Sequence, residues 1–216
     1  MVRDDGHLMA AACDGDLDAF NLLVLRHERT VFTICLRLLR DVQAAEDATQ
    51  DAFLRAWISA RSFQGGSVRA WLLRIATNRA YDLLRVRARR PAAVLETEAA
   101  EIEPIWSTQS AIESPEAGAL RDELGIYLER ALTALPEDQR TVVLLADVQG
   151  CSYEETAAAA GAAVGTVKSR LSRGRAKLRQ TLIDDPTAAE LFDRYRRSQH
   201  ETVDAPATRG RDSDDE

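Results

Sequence analysis

The sequence predicts an all-α protein: two small helical domains joined by a flexible linker. Three observations carry this expectation. Apolar residues recur at spacings of three and four along most of the chain, and strand-like alternation is scarce. A stretch rich in alanine and glutamate, without sustained period, interrupts that pattern from Pro91 to about Ser114. Beyond it, a capping box and a glycine turn separate two further helical segments. The boundaries that follow are a first domain at 1–90, an acidic linker at 91–118, a second domain at 119–183 and a C-terminal extension at 184–216.

The first helical block runs from about Asp16 to Arg90. Ala48, Ala52, Phe53, Ala56 and Trp57 form one apolar stripe at helical spacing. The segment Ser62 to Ser67, with Gly65 and Gly66, punctuates the block as a loop. In the helix that follows, Leu72, Ile75, Ala76 and Leu83 make the face to be buried. Trp71, Arg74, Asn78, Tyr81 and Arg85 make a second stripe on another side. Aromatic rings interleaved with arginine and an amide suit single-stranded nucleic acid, because bases stack on rings while cations neutralise phosphates. The competing reading makes Trp71 a core residue and Tyr81 half-buried.

After the linker, Ser114, Pro115 and Glu116 signal a helix start: an N-cap, a proline in the first turn and an early acid. That helix is expected to bury Leu120, Leu124, Tyr127, Leu128 and Ala131 until Leu135 and Pro136 end it. Ser152 and Glu155 then form a capping box, a short helix runs to Ala160, Gly161 turns the chain, and a second helix runs from about Val164 to Leu182. Two helices across a tight glycine turn describe the DNA-binding helix-turn-helix. Val167, Leu171, Gly174 and Leu178 share the inward face. Gly174 weakens a helix by up to about 1 kcal/mol relative to alanine, which a close helix–helix approach offsets. Lys168, Ser169, Ser172 and Arg173 project elsewhere from the N-terminal half, where a recognition helix meets base edges, with Arg175 and Arg179 set to reach phosphates. Ala188, Leu191, Phe192 and Tyr195 make Pro186 to Gln199 a further amphipathic helix, and Asp204 to Glu216 is expected to be disordered.

Charge is segregated along the chain. The formal net charge is -7, which alone argues against a nucleic-acid binder. Yet residues 69–90 hold seven arginines against Asp82 alone, and residues 164–180 hold six basic residues and no acid. Residues 91–123 hold eight acids and only Arg121. Two basic stretches and an acidic spacer are local electrostatic footprints for a polyanion.

Other function classes find little support. No apolar run approaches the roughly 20 residues of a membrane helix, and Asp4, Asp5, Asp14 and Asp16 stand where a signal peptide carries positive charge, so a cytoplasmic protein with no membrane insertion is expected. Three dispersed cysteines (Cys13, Cys35, Cys151) and three histidines show no zinc spacing, and the cysteines read as small core residues. No phosphate-cradling glycine loop or nucleophile elbow is present. Neither catalytic residues nor a metal or cofactor are expected, and the chain does not read as an enzyme.

Three segments, in order, resemble the extracytoplasmic-function sigma factors of the sigma-70 family: Ala45 to Trp57, Ala70 to Asn78, and Leu135–Arg140 through Ser152–Glu155 to Val164–Arg173. The resemblance covers roughly residues 16–90 and 119–183. It implies a transcription initiation factor whose first block is sigma region 2 and whose second is region 4. By the same resemblance, Asp47, Gln50, Asp51 and Leu54 dock on the clamp helices of core RNA polymerase. The Phe63–Ser67 loop, with Gln64, and the stripe Trp71, Arg74, Asn78, Tyr81 and Arg85 take the single-stranded non-template strand of the -10 element. Lys168, Ser169, Ser172 and Arg173 read the duplex -35 element, flanked by Arg175 and Arg179. The polymerase flap and an anti-sigma factor complete the implied partners. The alternative on the residues alone is an autonomous helix-turn-helix regulator, which leaves the first two motifs idle.

Overall fold

A computed structural model describes residues 4–89 and 115–203, with side chains described to residue 197 and from 118 in the second stretch. The linker, the Ser114 cap and the acidic tail from Asp204 lie outside the described residues. Every regular element among those described is helical: α1 (Asp5–Cys13), α2 (Leu17–Leu39), α3 (Val42–Ser59), α4 (Val68–Arg89), α5 (Pro115–Thr133), α6 (Glu137–Val143), α7 (Tyr153–Ala160), α8 (Val164–Asp184) and α9 (Pro186–Val203). They gather into two compact units, one drawn from 1–103 and 135–176, the other from 104–134 and 177–216. The helix-turn-helix segment therefore packs with the first block.

The core of the first unit forms where α2, α3 and α4 meet. Leu23, Val31, Ile34 and Cys35 from α2, Ala45, Ala48, Ala52 and Ala56 from α3, and Leu72, Leu73, Ala76 and Ala80 from α4 are all buried. Small alanines on α3 let the helices approach closely, and each fully buried leucine contributes about 1.5–3 kcal/mol. Phe20 and Trp57 pack with ring centroids 5.2 Å apart and close the end of this core. Caps set the helix starts. The Asp16 carboxylate accepts from Ala19 N at 3.0 Å, and that of Asp41 accepts from Ala44 N at 2.9 Å.

The block begins earlier than Asp16. Asp4 caps α1 by accepting from His7 N at 2.8 Å, a start signal that the sequence reading left unused. Leu8 and Met9 of α1 are fully buried. Asp5 then receives Arg26 at 2.8 Å and the buried His27 at 2.7 Å, fastening α1 to α2.

In the helix-turn-helix, the capping box forms as its residues require. Ser152 Oγ accepts from Glu155 N at 3.1 Å, and Glu155 Oε2 accepts from Ser152 N at 3.0 Å. Gly161 ends α7 in the left-handed region at φ 62°, where a side chain is disfavoured. A π-helical turn, Leu144–Val148, continues α6 and buries Leu144 and Leu145. Val167, Leu171 and Gly174 of α8 are buried, and Gly174 abuts Val143 and Gln139 of α6.

In the second unit α5 and α9 pack on each other. Leu120, Ala131 and Leu132 of α5 and Ala188 and Leu191 of α9 are buried. Leu124, Tyr127 and Leu128 are half-buried, and Phe192 remains 53% exposed, so the apolar face of α9 is narrower than its spacing suggests.

The close approach at Gly174 yields a prediction. A Cβ there would stand 2.9 Å from Val143 Cγ2, inside van der Waals contact. Gly174→Ala gains up to about 1 kcal/mol of helix propensity but forces a clash typically worth about 1–3 kcal/mol, so thermal unfolding should show a net loss of stability. A higher melting temperature would show that α6 and α8 yield freely.

Candidate nucleic-acid interface

Helix α8 presents one exposed edge. Lys168, Ser169, Ser172 and Arg173 are all exposed along the N-terminal half of α8. Ser169 Oγ donates to Thr166 O at 2.9 Å and Arg173 Nε to Ser169 O at 3.3 Å, so both side chains are tied back to the helix, leaving the lone pairs of Ser169 Oγ and the other N–H groups of Arg173 on the exposed edge. Lys168 Nζ lies 5.5 Å from the ring centroid of Tyr153, the first residue of α7. Arg175 departs from expectation. Its guanidinium makes two bonds to the Asp147 carboxylate, at 3.0 and 2.5 Å, so it braces the π-helical turn against α8 instead of standing ready for a phosphate. Arg179 stays exposed.

On α4 the expected stripe is split. Arg74 and Asn78 are exposed, Trp71 is half-buried, and its ring meets Phe63 edge-on at 5.5 Å, bracing the loop that carries Gln64, Gly65 and Gly66. Gln64 itself is exposed. Tyr81 is only 7% exposed. Its hydroxyl donates to Glu137 O at 3.0 Å and lies 2.7 Å from Thr141 Oγ1, so in this packing it serves the junction with α6 and offers no open face to a base. Arg85 lies 3.4 Å from Glu137 and 3.6 Å from Asp82. Ser67 Oγ donates to Glu155 Oε1 at 2.7 Å, and Arg69 donates to the Gln149 carbonyl. Thr77, Asn78, Tyr81 and Arg85 line one wall of a groove of about 560 Å³, with Glu137, Thr141 and Ala159 opposite.

The third set lies on α3. Asp47 and Gln50 are exposed, and Leu54 is 61% exposed, an apolar side chain held in water. Asp51 is half-buried and pairs with Arg79 at 2.7 Å, so its charge is already matched within the fold. A smaller groove with Phe32 in its wall, about 400 Å³, runs between α2 and α3 beside Gln50.

Comparison with known proteins agrees with this architecture. Residues 23–90 match the family model for sigma-70 region 2, and residues 126–178 match that for sigma-70, region 4. The ECF RNA polymerase sigma factor SigM of Mycobacterium tuberculosis is 38% identical over 181 residues, 83% of this chain and 85% of the relative. The chain belongs to the extracytoplasmic-function sigma factors. The RNA polymerase sigma-H factor of Pseudomonas aeruginosa is 37% identical over 182 residues, covering 83% of this sigma factor and 94% of the relative. Among solved structures, CnrH in complex with the cytosolic domain of CnrY aligns with a TM-score of 0.62 at 28% identity, covering 84% of this chain and 99% of that one. The sigma factor RpoE bound to the anti-sigma factor NepR from Bartonella quintana aligns at 0.59 and 32% identity, covering 77% and 98%. This sigma factor accordingly acts in transcription initiation.

Tyr153, Asp147 and Thr141 carry no motif of their own, because their partners Lys168, Arg175 and Tyr81 lie far off in sequence. Ile58, 82% exposed, stands one helical turn beyond Leu54 and extends the apolar edge of α3; its spacing from Leu54 was a usable signal.

Burial pushes the Tyr81 phenol up from 10.0 to about 12. A group whose folded value is raised lends stability in full below its unfolded value and loses it as the pH climbs through the folded one. The junction of α4 with α6 should therefore weaken between pH 10 and about 12. Tyr81→Phe should remove that part of the alkaline loss of stability, read by melting temperature against pH. An unchanged profile would mean that the phenol is not held at this junction in solution.

Proposed function

We propose that this sigma factor binds core RNA polymerase and directs it to promoters by reading the -35 element with α8 and capturing the -10 non-template strand with α4 and its preceding loop. The observation that carries the reading is the exposed edge Lys168, Ser169, Ser172 and Arg173 on a correctly capped helix-turn-helix. Side chains at these positions meet base edges when such a helix enters a major groove. Arg74 and Asn78, exposed beside the Phe63–Trp71 pair, supply a cation, an amide and an aromatic surface for a separated strand. Asp47, Gln50 and Leu54, with the neighbouring α2–α3 groove, form the surface offered to the polymerase clamp helices, and the flap is the second polymerase contact. In this reading region 2 spans 1–90, the linker 91–118 and region 4 119–183. The chain is a specificity subunit without catalysis of its own and works in the cytoplasm; no helix among its described residues is long and apolar enough to cross a membrane. The relative solved with NepR supports an anti-sigma factor as a further partner.

Run-off transcription on a promoter library, with and without this protein added to core polymerase, tests the whole reading. Transcripts should appear only with the protein; their absence with active core overturns it.

Within that assay, Lys168→Ala and Arg173→Ala should each weaken discrimination at one -35 position by about 1–3 kcal/mol. Equal weakening on every promoter would make these side chains phosphate contacts.

Asp47→Arg should abolish co-purification with core polymerase while leaving the circular-dichroism melt intact, since Asp47 is exposed and makes no side-chain bond among the described residues that a reversal would break. Asp51→Arg is a poorer probe because it also breaks the pair with Arg79. Normal polymerase binding by folded Asp47→Arg would remove this docking surface.

A further inference from the structure

Lys168 reaches the exposed edge of α8 on a long flexible stem, yet its charged end is held. Its Nζ lies 5.5 Å from the ring centroid of Tyr153, within the range of a cation–π contact. Tyr153 opens α7 directly after the Ser152 cap, and its own contacts run on to Arg175. Lys168, Ser172 and Arg175 recur at i, i+4 and i+7 and so share one side of α8, with Arg175 at the far end of the row. The Arg175 guanidinium grips the Asp147 carboxylate twice, at 3.0 and 2.5 Å, a fork that fixes the plane of the group as well as its place. That carboxylate raises Arg175 above its ordinary value and the Tyr153 phenol adds to the shift, so phenol and guanidinium are neighbours. Asp147 is anchored in turn. It belongs to the π-helical turn Leu144–Val148, in which Leu144 and Leu145 are buried. Bonds from Gln149 N to Leu144 O at 2.9 Å and from Cys151 N to Leu145 O at 3.0 Å close the end of that turn. Single π turns of this kind recur at functional sites. An ion pair as exposed as Asp147 and Arg175 adds little stability, so what its two bonds contribute is direction.

We infer that Asp147, Arg175 and Tyr153 are positioning residues for base reading by Lys168. Asp147 fixes the guanidinium, the guanidinium fixes the phenol end of Tyr153, and the ring face holds the ammonium at the edge before DNA arrives. A lysine left free must be ordered on contact, which costs affinity and lets several placements compete for the base. The ring holds the charge without an oxygen or nitrogen acceptor, so the N–H groups stay available to acceptors on a base edge. Arg175 thereby serves the -35 element without touching it. This rests on the assignment of Lys168 to the -35 element made above, and adds what gives that contact its selectivity.

The test uses holoenzyme reconstituted from core polymerase and the full chain. Competition binding measures the preference at each -35 position, as the ratio of affinity for a promoter taken from the library to affinity for its single-base-pair variants. A ratio cancels any loss shared by all sequences, so a merely structural role leaves it unmoved. Lys168→Ala first identifies the position that Lys168 reads. Tyr153→Leu and Asp147→Asn should each lower the preference at that same position by about two- to fivefold, the loss expected for one exposed cation–π contact, and leave the other positions alone. In a Lys168→Ala background neither should lower it further, because the residues act through Lys168. If either variant lowers the melting temperature, Tyr153→Phe, which keeps the ring and loses the phenol that meets Arg175, should still lower the preference there. A preference untouched by these variants, or lowered equally without Lys168, overturns the inference and leaves the -35 assignment standing. If Lys168→Ala shifts no position, the assignment of Lys168 falls and the inference falls with it.

Discussion

Burial of one face of α4 is the constraint from which the rest follows. With Leu72, Leu73, Ala76 and Ala80 locked among α2 and α3, the helix cannot rotate, and its remaining faces point in fixed directions. One side carries Arg79 to Asp51, and the helix end carries Arg87 to Asp41, which also caps α3. Another carries Arg74 and Asn78 outward and Tyr81 toward α6. A helix held this firmly can serve as a reading surface, because neither strand nor protein partner has to order it on binding.

Charge segregation gains a structural meaning from this packing. Basic residues of 69–90 and 164–180 make footprints suited to DNA, yet several are partly neutralised inside the fold. Arg79, Arg85 and Arg87 pair with Asp51, Glu137 and Asp41, while Arg170 and Arg175 pair with Asp138 and Asp147. What remains outward on α4 and α8 is a smaller set in which Arg74, Lys168 and Arg173 stand out. A net charge of -7 is thus compatible with DNA binding, since affinity depends on where uncompensated cations lie and not on their sum.

Helix identity was legible from local signals. Ser152 and Glu155 announced α7, Gly161 its end, and the Val167, Leu171, Gly174 spacing the inner face of α8, because caps and helical periodicity are properties of neighbours in sequence. The exposed members of the candidate surfaces are legible for the same reason: Lys168, Ser172, Arg173, Arg74, Asn78 and Asp47 lie off the apolar stripes. Helix α1 was missed although Asp4 stood ready to cap it, since nine residues offer too short a period to read.

Residues that answer to distant partners were not legible. Tyr81 and Arg85 share a stripe with Asn78 on a helical projection, but the arrival of Glu137 and Thr141 buries the first and pairs the second. Asp51 and Arg175 looked free for partners because Arg79 and Asp147 lie 28 residues away along the chain, and only folding brings each pair together. The sequence by itself determined the helices, their caps, their inner faces and the family. The tertiary structure alone decided which outward cations and acids remain available, because electrostatic pairing acts through space between side chains that no local pattern connects.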